Sequence, residues 1–138
     1  MGDVRISYEL DIEDGLDAMM VTGKLTVSDN NESIAFQYCY VDSWLLAISN
    51  AVNTCKNQTD ILIATPDEAR VLDFRSRGED VVISMGTMTI TSSIKHIKRE
   101  LIKTIGELLH IYSEISGQRK SKNLSDLRVQ LEVLRKLD

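Results

Sequence analysis

Three carboxylates stand at alternate positions near the start of the sequence: Glu9, Asp11 and Glu13, separated by Leu10 and Ile12. On an extended chain that spacing puts all three on one face, with ~7 Å between neighbours. Carboxylates in a group can serve acid–base chemistry or hold a hard cation, but such a cation wants six or more oxygens converging on one point. A straight ladder does not converge, and no Asn- or Gly-shaped loop bends it. The chemistry it suits is attraction of a cationic surface. Three more carboxylates are candidates for the same surface. Asp67 and Glu68 follow Pro66 in a turn, and Asp73 alternates with Leu72 and Phe74, facing away from them.

The other reactive side chains are sparse. His96 and His110 are fourteen residues apart on one helical segment, which places them roughly 21 Å apart along its axis and in no common site. Flanked by Lys95 and Lys98, His96 reads as a solvated helix residue. Cys39 and Cys55 have neither CxxC nor Cys-x-x-His surroundings, so they read as buried thiols rather than zinc ligands or a disulfide framework. Gly-rich phosphate loops, nucleophile elbows and His-Glu-x-x-His helices are all missing from the sequence. The expectation is a protein that is not an enzyme and needs no metal or cofactor.

The elements that must position these residues follow from periodicity. Val4, Ile6, Tyr8, Leu10 and Ile12 alternate with polar residues, which is the pattern of a half-buried strand. Asp14-Gly15 supplies a turn, and a second strand places Met19, Val21, Leu25 and Val27 on one face, with Gly23 marking a bulge or a close backbone approach. Ile34, Phe36, Tyr38 and Tyr40 alternate as a short third strand. A helix starts near Trp44, capped by Asp42 or Ser43, and buries Trp44, Ile48, Val52 and Cys55. Short strands are expected at Ile61–Ala64 and Val71–Phe74, then a longer one from Val81 to Ile90, broken at Gly86. Ser92 or Ser93 opens a long helix with Ile94, Ile97, Leu101, Ile105, Leu108, Tyr112 and Ile115 on one stripe. Residues 117–122 read as an exposed linker to a last helix, 123–137, whose leucines repeat almost as a heptad. The expected fold is a single α+β domain, order ββ(β)αβββαα, with one antiparallel sheet of five to six strands and helices on one face.

Composition sets the remaining limits. The 138 residues are 43% hydrophobic and 27% charged, with one proline and seven glycines, a balance that builds one folded domain. The net charge of −5 excludes the basic footprint of a sequence-independent nucleic-acid binder and of a polybasic membrane-surface protein. That charge is unevenly placed. Residues 1–90 hold 15 acidic and 6 basic side chains, a net of −9, while residues 91–138 hold 6 acidic and 10 basic, a net of +4. The strand-forming part is thus an anionic body able to steer a basic ligand. The opening Met1-Gly2-Asp3-Val4-Arg5 has no basic n-region or apolar h-region, so the expected compartment is the cytoplasm.

An early hairpin, the Trp-led helix Trp44-Leu45-Leu46-Ala47-Ile48, the strands Val71-Leu72-Asp73-Phe74 and Val81-Val82-Ile83, and the long helix from Ile94 to Tyr112 form a recognisable layout. Over roughly residues 4–116 it resembles the immunity proteins of bacterial polymorphic-toxin and contact-dependent growth inhibition systems. The resemblance implies a cytoplasmic, non-enzymatic antitoxin that binds the C-terminal domain of a cognate toxin, often a basic nuclease, and covers its active site. Glu9, Asp11, Glu13, Asp67, Glu68 and Asp73 are the residues expected to meet that partner. Two alternatives share the composition: an acidic secretion or effector chaperone, and a small ligand-binding α+β domain with an unadvertised pocket. The leucine-spaced last helix would pack on its own domain or form the seam of a homodimer.

Overall fold

The structure, a computed structural model, describes residues 4–13, 15–65, 69–115 and 119–136. Asp67 and Glu68 lie outside these residues, as does the start of the expected linker at 117–118.

The alternating segments fold into two antiparallel meanders. Strands β1 (Arg5–Leu10), β2 (Thr22–Ser28) and β3 (Ser33–Tyr40) form a three-stranded sheet in sequence order. Helix α1 (Val41–Thr54) carries the chain to β4 (Gln58–Ile63), β5 (Leu72–Arg77), β6 (Asp80–Met85) and β7 (Met88–Ser93), a four-stranded sheet also in sequence order. Helices α2 (Ile94–Ser113) and α3 (Lys122–Lys136) complete the order βββαββββαα. The α+β class is as expected, but the strands divide between two sheets of three and four rather than forming one of five to six.

The division has local causes. Chain reversals between β5 and β6 and between β6 and β7 are two-residue loops, Gly78-Glu79 and Gly86-Thr87, each opening on a glycine at φ 63°. Glycine at the first loop position is what a tight hairpin of right-handed twist demands. Gly86 therefore does not break one long strand; it separates β6 from β7. Between β3 and β4 there is a helix instead of a turn, and β4 pairs with β5 rather than with any strand of the first meander.

The sheets nevertheless meet. Carboxylates in the β2–β3 loop accept from the outer edge of β7, Glu32 from the Thr89 N–H and Asp29 from the Thr91 N–H at 3.4 Å. Asp29 also accepts from the N–H groups of Asn31 and Glu32, both at 2.8 Å, and these donors hold its carboxyl below the usual range. Arg70 reaches the same corner, its guanidinium 5.0 Å from the Phe36 ring centroid.

Helix α1 packs on β2, β3 and β4, and α2 on β1 and β7, while α3 rests on α1 and α2. The shared core includes Leu25, Ile34, Phe36, Trp44, Ile48, Phe74, Ile83, Ile90, Ile97 and Leu101, all buried. Phe36 and Trp44 stack with centroids 4.1 Å apart. Ser93 caps α2, accepting from the His96 N–H at 3.1 Å, one of the two serines expected there. Leu124, Leu127, Leu131 and Leu134 of α3 are buried within this chain.

Helix α1 begins at Val41, straight from β3, with no side-chain cap. Asp42 is not that cap. It is 2% exposed, and its carboxylate accepts from the Ser43 N–H and from Ser121 Oγ, each at 2.9 Å. Ser121 in turn is buried and donates its N–H to the Ala18 carbonyl at 2.8 Å, so the linker's end is anchored, not exposed. Cys39 is buried as expected, whereas Cys55 is half-buried.

Candidate functional site

The expected carboxylate ladder sits where β1 ends. Glu9 is on the strand, opposite Lys24 of β2. Asp11 and Glu13 lie past the strand's last residue, Leu10, although the Asp11 N–H still donates to the Thr22 carbonyl at 2.9 Å. Ile12 is correspondingly not an inward strand residue; it is 66% exposed. The chain turns at once, with Gly15 at φ 84° donating its N–H to the Ile12 carbonyl.

Close packing of β1 on β2 depends on Gly23. A Cβ built there would lie 2.2 Å from the Glu9 carbonyl oxygen. Next to it the register with β3 slips: Gly23 faces Cys39, but Leu25 faces Phe36, so Gln37 and Tyr38 share the single partner Lys24. This β-bulge gives β3 one extra residue and reverses the alternation beyond it. Ile34 and Phe36 point into the core, then Cys39 does, and Tyr38 is turned out to 89% exposure. Tyr38 has φ 54°, the only non-glycine with positive φ among the described residues. A tyrosine held in that region costs of order 1–3 kcal/mol, a strain that elsewhere accompanies functional positions.

Glu9, Leu10, Asp11, Gly23, Lys24, Gln37 and Tyr38 together line a concavity of about 230 Å³ on the outer side of the three-stranded sheet. A second concavity of similar size shares Asp11 and adds Glu13, Gly15, Asp17, Met20 and Thr22. Met19 and Met20 are about half exposed here. They belong to the turn before β2, where Asp17 accepts from the Met19 N–H at 2.9 Å, and not to the strand face expected of Met19. Glu9, Asp11, Glu13 and Asp17 thus rim two adjoining hollows with one ammonium, Lys24, and exposed apolar surface at Ile12, Met20 and Tyr38. No histidine or cysteine lines either hollow. The arrangement offers carboxylates to cationic groups and exposed side chains to apolar ones.

Asp73 is not part of this surface. It lies on β5 in the other sheet, on the face opposite Leu72 and Phe74 as expected, and pairs with Arg75 at 3.0 Å. Asp60 and Arg77 pair beside it at 2.9 Å, and that guanidinium holds the Asp60 carboxyl below its usual range. The structure brings together Glu9, Asp11 and Glu13, adds Asp17, Met20 and Tyr38 to them, and sets Asp73 apart. Tyr38 and Met20 carried no signal in the sequence, because unbroken alternation puts Tyr38 inward and Met20 on a strand.

His96 is not simply solvated. It is half-buried, and its Nε2 lies 2.9 Å from the Val4 carbonyl. Its hydrogen-bonding role is therefore structural. Among the described residues no group of three or more His, Cys, Asp or Glu could hold a metal ion, and no helix is long and apolar enough to cross a membrane. Comparison with known proteins finds no matching family model, no similar curated protein and no similar solved structure.

Proposed function

We propose that the protein is an immunity-type antitoxin: it binds a basic toxin domain in the cytoplasm and neutralises it by covering the surface that holds the toxin's substrate. The observation that carries this reading is the convergence of Glu9, Asp11, Glu13 and Asp17 around exposed Tyr38, Met20 and Ile12. A nuclease domain is cationic where it grips phosphates, so carboxylates presented there raise association rate and select the partner. Charges alone rarely hold an interface, whose energy concentrates in a few central anchors, with Trp, Tyr and Arg enriched among them. Tyr38 has the position and exposure of such an anchor, with Glu9 and Asp11 beside it.

The test is capture of partners by tagged protein from the cells that make it, at low and then high salt. One basic domain recovered stoichiometrically, released by salt or by the double variant Glu9→Lys, Asp11→Lys, is the expected result. Recovery of an unfolded effector segment would make the protein a chaperone instead. Recovery of nothing at either salt would overturn both readings.

A further inference from the structure

Hydrogen bonding across β1 decides which of its backbone groups face outward. The Asp11 N–H donates to the Thr22 carbonyl of β2, and in the same phase Arg5, Ser7 and Glu9 turn their amides and carbonyls inward to the sheet. Val4, Ile6, Tyr8 and Leu10 turn theirs to the outer edge. Helix α2 takes the first part of that edge with three side chains spaced four apart. His96 Nε2 donates to the Val4 carbonyl at 2.9 Å, Glu100 Oε2 accepts from the Ile6 N–H at 3.3 Å, and Thr104 Oγ1 donates to the Ile6 carbonyl at 2.8 Å.

The clasp then stops. The next residue at that spacing is Leu108, which is buried and has no polar side-chain atom to offer the strand's backbone. Among the described residues no hydrogen bond reaches the outward N–H or carbonyl of Tyr8 or Leu10. An unpaired strand edge is a template for one more strand.

We infer that the edge at Tyr8–Leu10 receives an extended segment of the basic partner as an added strand, an inference that rests on the antitoxin reading above. The sheet dictates the segment's sequence pattern. Its outer-face side chains would fall beside Glu9 and Asp11 and are Lys or Arg. Its inner-face side chains would continue the half-buried row of Tyr8 and Leu10 and are apolar. A second copy of this chain does not fit. Two β1 edges brought together would set Glu9 and Asp11 of one against the same carboxylates of the other, and like charges across strands repel.

A short peptide of alternating Lys and Val, blocked at both ends, is the probe. Three controls accompany it: two versions with alternate amides N-methylated in opposite phase, and one with its lysines and valines in blocks. The expected result has three parts: slowed amide exchange at Tyr8 and Leu10, loss of about tenfold or more in affinity for one methylated phase, and a similar loss for the block peptide. Equal binding of all four peptides, with exchange at Tyr8 and Leu10 unchanged, overturns the added strand. If Glu9→Lys, Asp11→Lys still abolishes that binding, the acidic surface survives alone. Concentration-dependent protection of Tyr8 and Leu10 without peptide would mean self-pairing and also overturns the inference. Edge protection by the peptide in a protein that captures no basic domain from cells overturns the antitoxin reading and leaves the edge standing.

Discussion

Ser121 Oγ donates to the Asp42 carboxylate at 2.9 Å across 79 residues of sequence, fastening the start of α3 to the start of α1. The same serine hydroxyl accepts from the Leu124 N–H at 3.3 Å, and its own N–H holds the Ala18 carbonyl in the loop before β2. The buried Asp42–Ser121 pair therefore ties α1, α3 and the loop before β2 together. Burial pushes the Asp42 carboxyl above its usual range even though Ser121 and Ser43 donate to it. Burial, followed by the charges of Asp42 and Asp17, lifts the Tyr112 hydroxyl to about 12.

Stability carries a pH signature from Asp42. Its native pKa is raised, so the folded chain binds that proton more tightly than the unfolded chain does. This contribution is fully present below the ordinary carboxylate range and is lost as pH rises through the raised native value. Urea unfolding at a series of pH values is expected to show the wild type losing stability relative to Asp42→Asn across that window. A constant difference between the two proteins would contradict it.

Removing the donor tests the latch from the other side. Ser121→Ala leaves a buried carboxylate short of one hydrogen bond and α3 without its first-turn acceptor, which costs about 1–3 kcal/mol. The measurement is the urea midpoint at neutral pH, where Asp42→Asn combined with Ser121→Ala is expected to cost less than the two changes added.

Gly23→Ala is expected to be costly out of proportion to one methyl group. Its Cβ would meet the Glu9 carbonyl at 2.2 Å, a backbone atom that can move only if β1 shifts. A loss of roughly 1–3 kcal/mol follows from such overpacking. Thermal unfolding gives the cost, and amide exchange in β1 shows whether the strand has moved. A neutral substitution would mean that β1 and β2 are farther apart than described.

Tyr38 separates stability from binding. Tyr38→Gly removes the strain of a positive φ and is expected to raise stability by about 1 kcal/mol while weakening partner capture. Tyr38→Ala keeps the strain, loses the same ring and weakens capture equally. If both variants bind the partner as the wild type does, the ring is not an anchor.

Charge reversal at Glu9 and Asp11 acts on association. Both side chains are exposed, so stability is expected to change by no more than about 0.5 kcal/mol. The association rate with a basic partner is expected to fall by about tenfold or more at low salt and by much less at high salt, read by stopped-flow mixing.

The helices were the most legible part of the fold. In α2 the residues Ile97, Leu101, Ile105, Leu108 and Tyr112 are buried as their spacing required, because one face of a helix is fixed by its period. Strand reading failed where a single residue changed the phase. One extra residue opposite Lys24 moved Tyr38 from the core to the surface, and nothing in Ile34–Tyr40 marks the slip. Asp42 looked like a helix cap since its true partner, Ser121, is remote in sequence. The split into two sheets was hidden for a related reason: alternation reports which face of a strand is buried but not which strand lies beside it. Of the candidate site, Glu9, Asp11 and Glu13 were visible as a ladder. Their neighbours Asp17, Met20 and Tyr38 depended on a turn and a bulge that only the assembled sheet reveals.

The clasp of His96, Glu100 and Thr104 on β1 also orders events in time. Each meander closes through neighbours in sequence, and such local pairing is fast. The β1 edge, by contrast, waits for side chains 92 to 98 residues downstream. A chain leaving the ribosome presents β1–β3 long before α2 exists, so the nascent protein exposes the whole of that edge, from Val4 to Leu10. Synthesis itself thus creates an interval in which the strand is open along its full length, and completion of α2 narrows it to the Tyr8–Leu10 segment.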